Sequence, residues 1–262
     1  MLWLEALVEV IMSHPRTLRF ELAYDGSCFA GWARQPGART VESVLRRCLE
    51  PVLPDMRSLA VGGRTDRGVH ATGQVFSLRT RSDVGLPELV SRMNAAAPNE
   101  LVVLQARTVP HWFHAQFSAV ARSYVLLWPG QELAKCVDRI QVLVQGLLGT
   151  HDFRAFSRAT PKTKSTVRHL HRASVRALQT SDYVGIRFDI MASSFLRRQV
   201  RVMTATAVRE ALAGSPDDAL TRLAQARNRA ATAEPAPADY LHLARVHYDP
   251  WLPRRVRTAR RG

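Results

Sequence analysis

The chain has 262 residues, enough for one large domain or two ordinary ones, and 46% of them are hydrophobic, which excludes an extensively disordered protein. Lys and Arg number 37 against 22 Asp and Glu, so the net charge is +15, and the sequence pI is about 11.1. This excess of positive charge predicts a polyanionic partner such as nucleic acid, through electrostatic attraction and the release of counterions.

The cysteines and the hydropathy of the chain bear on its compartment. Cys28, Cys48 and Cys136 are scattered and form no Cys-x-x-Cys pair, which argues against a zinc or disulfide framework and favours the reducing cytoplasm. No apolar run approaches the length of a transmembrane helix, so no membrane association is expected. Residues 1–15 contain two glutamates and no leading Lys or Arg, which is untypical of a signal peptide, and they are interpreted as an N-terminal extension.

Residues 16–112 are predicted to form an α+β unit. Apolar and polar residues alternate from position 18 to 24, which is typical of a half-buried strand. Thr40 is predicted to cap a helix whose apolar residues recur at helical spacing. Two short strands, a helix over 86–96 and a further strand complete the order strand, helix, strand, strand, helix, strand.

Residues 113–250 repeat this rhythm. The predicted elements are a strand at 121–127, an amphipathic helix at 137–148, a hairpin of strands 167–178 and 183–191, the longest helix from Phe195 onward, and a closing strand up to Tyr248. The basic stretch 154–172 is interpreted either as a solvated loop or as an RNA backbone contact. We therefore predict an α+β fold of two similar halves with mostly antiparallel sheets, followed by a basic tail over 251–262.

The segment 63–71, Gly-Arg-Thr-Asp-Arg-Gly-Val-His-Ala, places the carboxylate of Asp66 between two arginines. An apolar segment ending at Val61 precedes it and an alternating segment from Gln74 follows it, so Asp66 is expected on a loop between two strands. Glycines on both sides let this loop approach a ligand closely, and the flanking guanidinium groups favour the ionised carboxylate. These features predict a nucleophile or base that faces a phosphate-bearing substrate.

This segment resembles the active-site motif of the tRNA pseudouridine synthase A family, Gly-Arg-Thr-Asp-x-Gly-Val-His-Ala, without a mismatch. Further blocks similar to those of the family occur at 24–32, 113–124 and 151–156. The resemblance spans about residues 17–249. It implies that the sheets of the two halves join into one extended sheet, with helices packed on one face and the active-site cleft between the halves.

The resemblance also implies an activity, the isomerisation of uridine to pseudouridine at positions 38, 39 and 40 of the tRNA anticodon stem-loop. Asp66 would be the nucleophile, Arg201 its ion-pair partner, and Tyr124 the residue that stacks on the uracil with its hydroxyl near C5. Whether Asp66 attacks C1′, attacks C6 or removes a ribose proton to give a glycal stays open. The reaction gains and loses no atom, so neither a cofactor nor a metal is expected.

The substrate contacts that we expect belong to Arg64, Thr65, His70, Arg197 and Leu241. Arg64 is placed to fill the space left by the flipped base or to hold a phosphate, because it stands two residues before Asp66. Leu241 is expected to form the second wall of the uracil pocket. The resemblance implies a homodimer that binds tRNA across both subunits.

Two other functions stay open at this point. The chain departs from the family pattern at five positions, Ala33, Gln199, Ala205, Asn228 and Tyr240. The departures at Gln199, Ala205 and Tyr240 leave open an RNA-binding protein of this fold whose catalysis has lapsed. A metal-dependent hydrolase is the other, and its candidate ligands are His70, His111, His114, His151 and Asp152. No His-x-x-x-His pair on a helix supports the hydrolase, and the intact Asp66, Tyr124 and Arg201 favour the isomerase.

Overall fold

The structure is a computed structural model that describes residues 15–56, 59–158 and 163–249. These residues form two compact units, one of residues 15–119 with 248–249 and the other of residues 120–247. Both units combine helices with mostly antiparallel strands, which confirms the predicted mixed α+β class. All of the predicted basic tail and all but Pro15 of the predicted N-terminal extension lie outside the described residues.

The first unit follows the predicted order of elements. Its strands and helices are β1 (Arg16–Tyr24), α1 (Val41–Leu49), β2 (Ala60–Val61), β3 (His70–Thr80), α2 (Leu86–Ala96) and β4 (Leu101–Val109). The strands lie in the order β4-β1-β3, β2 pairs with β3, and every one of these pairings is antiparallel. α2 packs against α1 and β4.

Aromatic side chains fill the centre of the first unit. Phe20 on β1 lies opposite Phe76 on β3, and their stacked rings have centroids 4.8 Å apart. The Trp32 ring is 6.2 Å from that of Phe76 and is almost fully buried. Burying a side chain of this kind contributes about 1.5–3 kcal/mol, so the aromatic centre is a main source of the unit's stability.

The predicted cap of α1 is confirmed. Ser43 N donates to Thr40 Oγ1 at 3.1 Å, and Thr40 N donates to Ser43 Oγ at 2.9 Å, which makes a reciprocal capping box. Two backbone N–H groups that a helix start leaves unpaired are thereby satisfied.

Tyr248, near the end of the described residues, belongs to the first unit. The Tyr248 hydroxyl donates to Ala115 O at 2.8 Å, and its ring lies 5.0 Å from that of Phe113. The Arg19 guanidinium carbon lies 5.5 Å from the centre of the Tyr248 ring, a cation–π contact. Tyr248 therefore contacts residues near both ends of the segment 15–119, which forms most of this unit.

The second unit has a five-stranded sheet in the order β9-β5-β8-β7-β6. Its elements are β5 (Ala119–Pro129), α3 (Gln131–Ala134), α4 (Val137–Gln145), β6 (Gly149–Asp152), β7 (Val167–Gln179), β8 (Val184–Ala192), α5 (Gln199–Leu212), α6 (Ala219–Ala226) and β9 (Leu241–Tyr248). β7 and β8 pair antiparallel, which confirms the predicted hairpin, whereas α3, β6 and α6 were not predicted. α4 packs against β7 and α5.

The predicted start of the longest helix is wrong. α5 begins at Gln199, because Arg198 adopts a left-handed conformation with φ 63° that cannot continue a helix. The buried Gln199 side chain accepts a hydrogen bond from Leu196 N at 2.8 Å, which fixes the turn ahead of the helix. Arg197, which the prediction placed in this helix, therefore lies outside α5.

Candidate active site

Asp66 lies on the loop that joins β2 to β3, as predicted. β2 pairs with β3 through Ala60 opposite Ser77 and Val61 opposite Phe76, so both ends of the loop are fixed to one sheet. β3 begins earlier than predicted, at His70. Val69 N donates to Asp66 O at 3.2 Å and closes a turn around the carboxylate-bearing residue.

Exposure differs sharply along this loop. Thr65 is buried and Asp66 is half-buried, whereas Arg64 and Arg67 are exposed. The two guanidinium groups that flank the carboxylate in sequence can therefore reach a substrate from the surface. This arrangement suits a polyanion that approaches from the side of the arginines.

A buried polar network holds the residues just before Asp66. The Tyr24 and Thr65 hydroxyl oxygens lie 2.8 Å apart, and Gln74 Nε2 donates to the Tyr24 oxygen at 3.2 Å. Gln74 Nε2 also donates to Gly63 O at 2.6 Å, and Gly63 N donates to Gln74 Oε1 at 3.3 Å. Burial raises the pKa of Tyr24 to about 12, against the opposing effect of these hydrogen bonds, so the phenol is neutral at pH 7.

The sequence predictions missed Tyr24 and Gln74 as parts of the site. Alternation assigned both to strands, and both are indeed on strands. Gln74 has 0% exposure in the structure, so its side chain needs buried hydrogen-bond partners, but in the sequence it is one of several polar residues of β3 and gives no distinct signal. The identity of those partners depends on tertiary structure and could not be predicted.

The backbone of residues 31–32 packs against the opposite side of the loop. Trp32 N donates to Thr65 O at 3.1 Å. Gly31 has φ +94°, and a Cβ atom there would lie 2.9 Å from Thr65 O and 3.1 Å from the Asp66 carbonyl carbon. Only glycine combines this backbone conformation with so close an approach to the loop.

Gly31→Ala is expected to lower the free energy of unfolding by about 2–4 kcal/mol, because a left-handed conformation and an overlap with backbone atoms add up. Gly37→Ala is the matched control, since Gly37 has φ +68° with nothing within 4 Å of the added Cβ, and it should cost only about 1–2 kcal/mol. Urea denaturation of both variants measures the difference. Equal losses in the two variants would show that the loop does not press on Gly31.

His70 is the first residue of β3 and faces the turn that follows β1. Its Nδ1 atom accepts a hydrogen bond from Gly26 N at 3.2 Å and lies 3.2 Å from Asp25 Oδ1. Hydrogen bonds from Ser27 hold the pKa of the Asp25 carboxyl below its ordinary value. His70, a predicted substrate contact, is thus held against the turn at Asp25 and Gly26 through its Nδ1 atom.

Tyr124 lies at the centre of β5 in the second unit and is largely buried. The Phe195 ring meets it edge-on, with centroids 5.2 Å apart and an interplanar angle of 89°. Arg122 Nη1 donates to Ser193 O at 3.0 Å, which fixes the segment before α5 against β5. The strand that carries Tyr124 and the segment that leads to Arg201 are therefore in direct contact.

Arg201 is the third residue of α5, and its side chain is anchored within the second unit. Its Nε donates to Ala236 O at 2.5 Å, and Ala236 N donates to Arg201 O at 3.1 Å. This reciprocal pair restricts the directions that the rest of the guanidinium can take. Arg197 is exposed, and its carbonyl accepts a hydrogen bond from Arg158 N at 3.1 Å, which joins two arginine-bearing loops.

Leu241 is buried at the first position of β9, the neighbour of β5. Ser123 Oγ lies 2.7 Å from His247 Nε2, and the rings of Trp128 and Tyr240 are 6.0 Å apart. These two contacts place Leu241 near the Trp128 end of β5, about four residues or on the order of 13 Å along the strand from Tyr124. Its predicted role as a wall of the uracil pocket stays a prediction.

A family model described as tRNA pseudouridine synthase matches residues 143–249. The chain is 34% identical to tRNA pseudouridine synthase A of Limosilactobacillus fermentum over 248 residues, which are 88% of this chain and 95% of that one. It is 33% identical to the protein of the same name from Chloroflexus aurantiacus, over 94% of both chains. The corresponding protein of Chlorobaculum tepidum is 34% identical over 89% of this chain and 98% of its own.

The chain belongs to the tRNA pseudouridine synthase A family. It is therefore an enzyme, an isomerase that converts uridine to pseudouridine in tRNA. The predicted family, the isomerisation of uridine to pseudouridine in tRNA and the enzyme class are confirmed.

Four of the residues predicted to depart from the family pattern have structural roles in the second unit. Gln199 caps the turn before α5, and Ala205 is buried within that helix. Asn228 accepts a hydrogen bond from Ala230 N, and Tyr240 packs against Trp128. None of the four is Asp66, Tyr124 or Arg201.

The histidines of the hydrolase alternative divide between the two units of the synthase. His114 Nδ1 accepts hydrogen bonds from Gln116 N and Phe117 N, and His151 Nε2 lies 2.9 Å from Leu148 O. Over residues 15–56, 59–158 and 163–249, no three His, Cys, Asp or Glu side chains are grouped as a metal ion would require. The helices within these ranges are all too short or too polar to cross a membrane.

Proposed function

We propose that this synthase modifies uridines at positions 38, 39 and 40 of the tRNA anticodon stem-loop, with Asp66 as the nucleophile. The observation that carries the proposal is the mismatch-free motif 63–71, whose Asp66 sits half-buried on a loop that is fixed from both sides. The net charge of +15 fits a tRNA substrate, and the free cysteines Cys28, Cys48 and Cys136 fit the cytoplasm as its compartment.

The proposed reaction breaks the bond from N1 of uracil to C1′ of ribose, turns the base and joins C5 to C1′. Asp66 supplies the electron pair that permits glycosidic cleavage, whether at C1′, at C6 or by removing a ribose proton. The proton on C5 leaves after the new bond forms, and the Tyr124 hydroxyl accepts it directly or through water. The sum is an isomerisation in which no external oxidant, reductant or phosphate donor takes part.

We extend the proposal to the architecture on the basis of the family resemblance. The sheets of the two units join into one extended sheet, and the Asp66 loop meets Tyr124 and Arg201 in a cleft between the units. Two copies of the chain form a homodimer that holds one tRNA across both subunits. Arg64 and Arg197 are exposed; Arg197 contacts the RNA, and Arg64 either fills the place of the flipped uridine or holds a phosphate.

Tritium release tests the proposed target positions. Anticodon stem-loops with a single C5-tritiated uridine at 38, 39 or 40 should lose tritium to water, because pseudouridine formation replaces the C5 hydrogen. A stem-loop whose single labelled uridine lies elsewhere is the matched control. Release from the control at a similar rate would contradict the proposed positions, and mass spectrometry after derivatisation would locate the product.

Tyr124→Phe is expected to lower the single-turnover rate by about 10²- to 10⁴-fold, the range typical of general acid–base catalysis, while tRNA affinity changes little. The variant keeps the aromatic ring and its edge-on contact with Phe195 and loses only the hydroxyl. Rapid-quench kinetics with enzyme in excess over tRNA measures the rate. An unchanged rate would remove Tyr124 from proton transfer and leave it as a stacking residue.

A further inference from the structure

The position of Asp66 depends on what holds its loop, because no helix or strand hydrogen bonds fix residues 64–68. The last ladder bond of the β2–β3 pair runs from Gly62 N to Val75 O at 2.7 Å. Beyond it, the side-chain amide of Gln74 bonds both the N–H and the carbonyl of Gly63. The Gln74 side chain thus continues the hydrogen bonding between β2 and β3 by one residue. After Gly63 the backbone turns away from β3.

A second anchor holds the residue next to Asp66. The Tyr24 oxygen accepts a hydrogen bond from Gln74 Nε2 and lies 2.8 Å from Thr65 Oγ1, so a second hydrogen bond joins the two hydroxyl groups. Tyr24, Thr65 and Gln74 are at most 7% exposed, so water does not replace these bonds if one is lost. An unsatisfied buried polar group is costly, which makes the fully bonded arrangement the preferred one.

We propose that Tyr24, Thr65 and Gln74 are positioning residues that set the reactive geometry of Asp66. The inference rests on the proposed role of Asp66 as nucleophile. The three side chains hold residues 63 and 65 to the sheet of the first unit. Because these residues precede Asp66 in the loop, fixing them also fixes the orientation of the Asp66 carboxylate. Thr65 was expected as a substrate contact, but its buried hydroxyl lies 2.8 Å from the Tyr24 hydroxyl oxygen, so the proposal assigns it a positioning role instead.

Thr65→Val and Tyr24→Phe test the network, because each removes one hydroxyl and keeps the shape of the side chain. We expect single-turnover rates to fall roughly 10- to 100-fold, as a displacement of reacting groups by about 1 Å does, with tRNA dissociation constants within threefold of wild type. Thr65→Ser keeps the hydroxyl and should stay within threefold of the wild-type rate. Tyr24→Phe removes the bond to Thr65 and also the one from Gln74, so the double variant Tyr24→Phe with Thr65→Val should be little slower than Tyr24→Phe alone.

Thr80→Val is the control for a general loss of stability. Thr80 is the last residue of β3, the strand that also carries Gln74. It is fully buried and its hydroxyl donates to Asp55 Oδ1 at 2.7 Å. This variant should lower the thermal midpoint without changing the rate at temperatures where it is folded. A rate loss in Thr80→Val equal to that in Thr65→Val would overturn the positioning role, and so would a Thr65→Ser variant as slow as Thr65→Val.

Asp66→Asn separates the two levels of the proposal. If it is inactive while Thr65→Val and Tyr24→Phe keep the wild-type rate, the positioning inference fails and the proposed function stands. If Asp66→Asn is as active as wild type, the proposed nucleophile fails and the positioning inference fails with it.

Discussion

Asp66→Ala is expected to lower pseudouridine formation by at least about 10³-fold and to leave tRNA affinity within a few fold. The carboxylate is the group proposed to act on the sugar or base, whereas affinity comes mainly from basic residues on the surface. Tritium release with excess enzyme measures the chemical step, and filter binding at fixed salt measures affinity.

Two further variants sharpen this test. Asp66→Glu keeps the charge and moves the carboxylate by one methylene, so it should recover little activity if geometry decides the rate. Asp182→Ala removes an exposed carboxylate between β7 and β8 and should react at the wild-type rate. A fully active Asp66→Ala enzyme would refute the assignment of the nucleophile.

Arg201→Ala is expected to slow the reaction by roughly two to four powers of ten, because the proposed ion pair would be buried under bound tRNA, and removing one partner of a buried ion pair costs about 3–5 kcal/mol. The proposed partner is Asp66. The Arg201 side chain is already directed by its hydrogen bond to Ala236 O, so its guanidinium does not have to be ordered when tRNA binds. Arg201→Lys keeps the charge but cannot reproduce a planar, doubly directed guanidinium, and it should remain at least about tenfold slow.

Arg209→Ala is the matched control on the same helix. Arg209 also anchors a backbone carbonyl of the segment that follows α6, with Nη2 donating to Ala231 O at 2.7 Å, but it has no predicted role in the site. Its loss should lower stability slightly and leave the rate near that of wild type. Equal rate losses in the Arg201 and Arg209 variants would show that α5 acts only as a support.

Local signals were sufficient to predict much of the first unit. Alternation identified β1, the spacing of apolar residues with Thr40 identified α1, and apolar segments on both sides of residues 62–69 placed Asp66 on a loop. Each of these features is determined within about ten residues of sequence, where side-chain periodicity and capping operate.

The missed features depend on contacts between distant residues or on rare backbone conformations. Tyr24 and Thr65 are 41 positions apart, so no periodicity connects their hydroxyl groups. The late start of α5 follows from a left-handed Arg198, and arginine carries no sequence signal for that conformation, unlike glycine. The helical pattern from Phe195 onward therefore predicted a helix that the backbone does not form there.

The contacts of Tyr248 have a consequence for how the protein is made. Its hydroxyl and ring bind Ala115, Phe113 and Arg19, so the first unit contains a residue that leaves the ribosome after the whole second unit. The ribosome therefore synthesises the Asp66 loop early, whereas Tyr248, which packs in the same unit, is synthesised late. A nascent chain stalled before Tyr248 would leave the Ala115 carbonyl and the Arg19 guanidinium without these partners, so the unit that carries the Asp66 loop acquires all of its contacts only after Tyr248 has been synthesised.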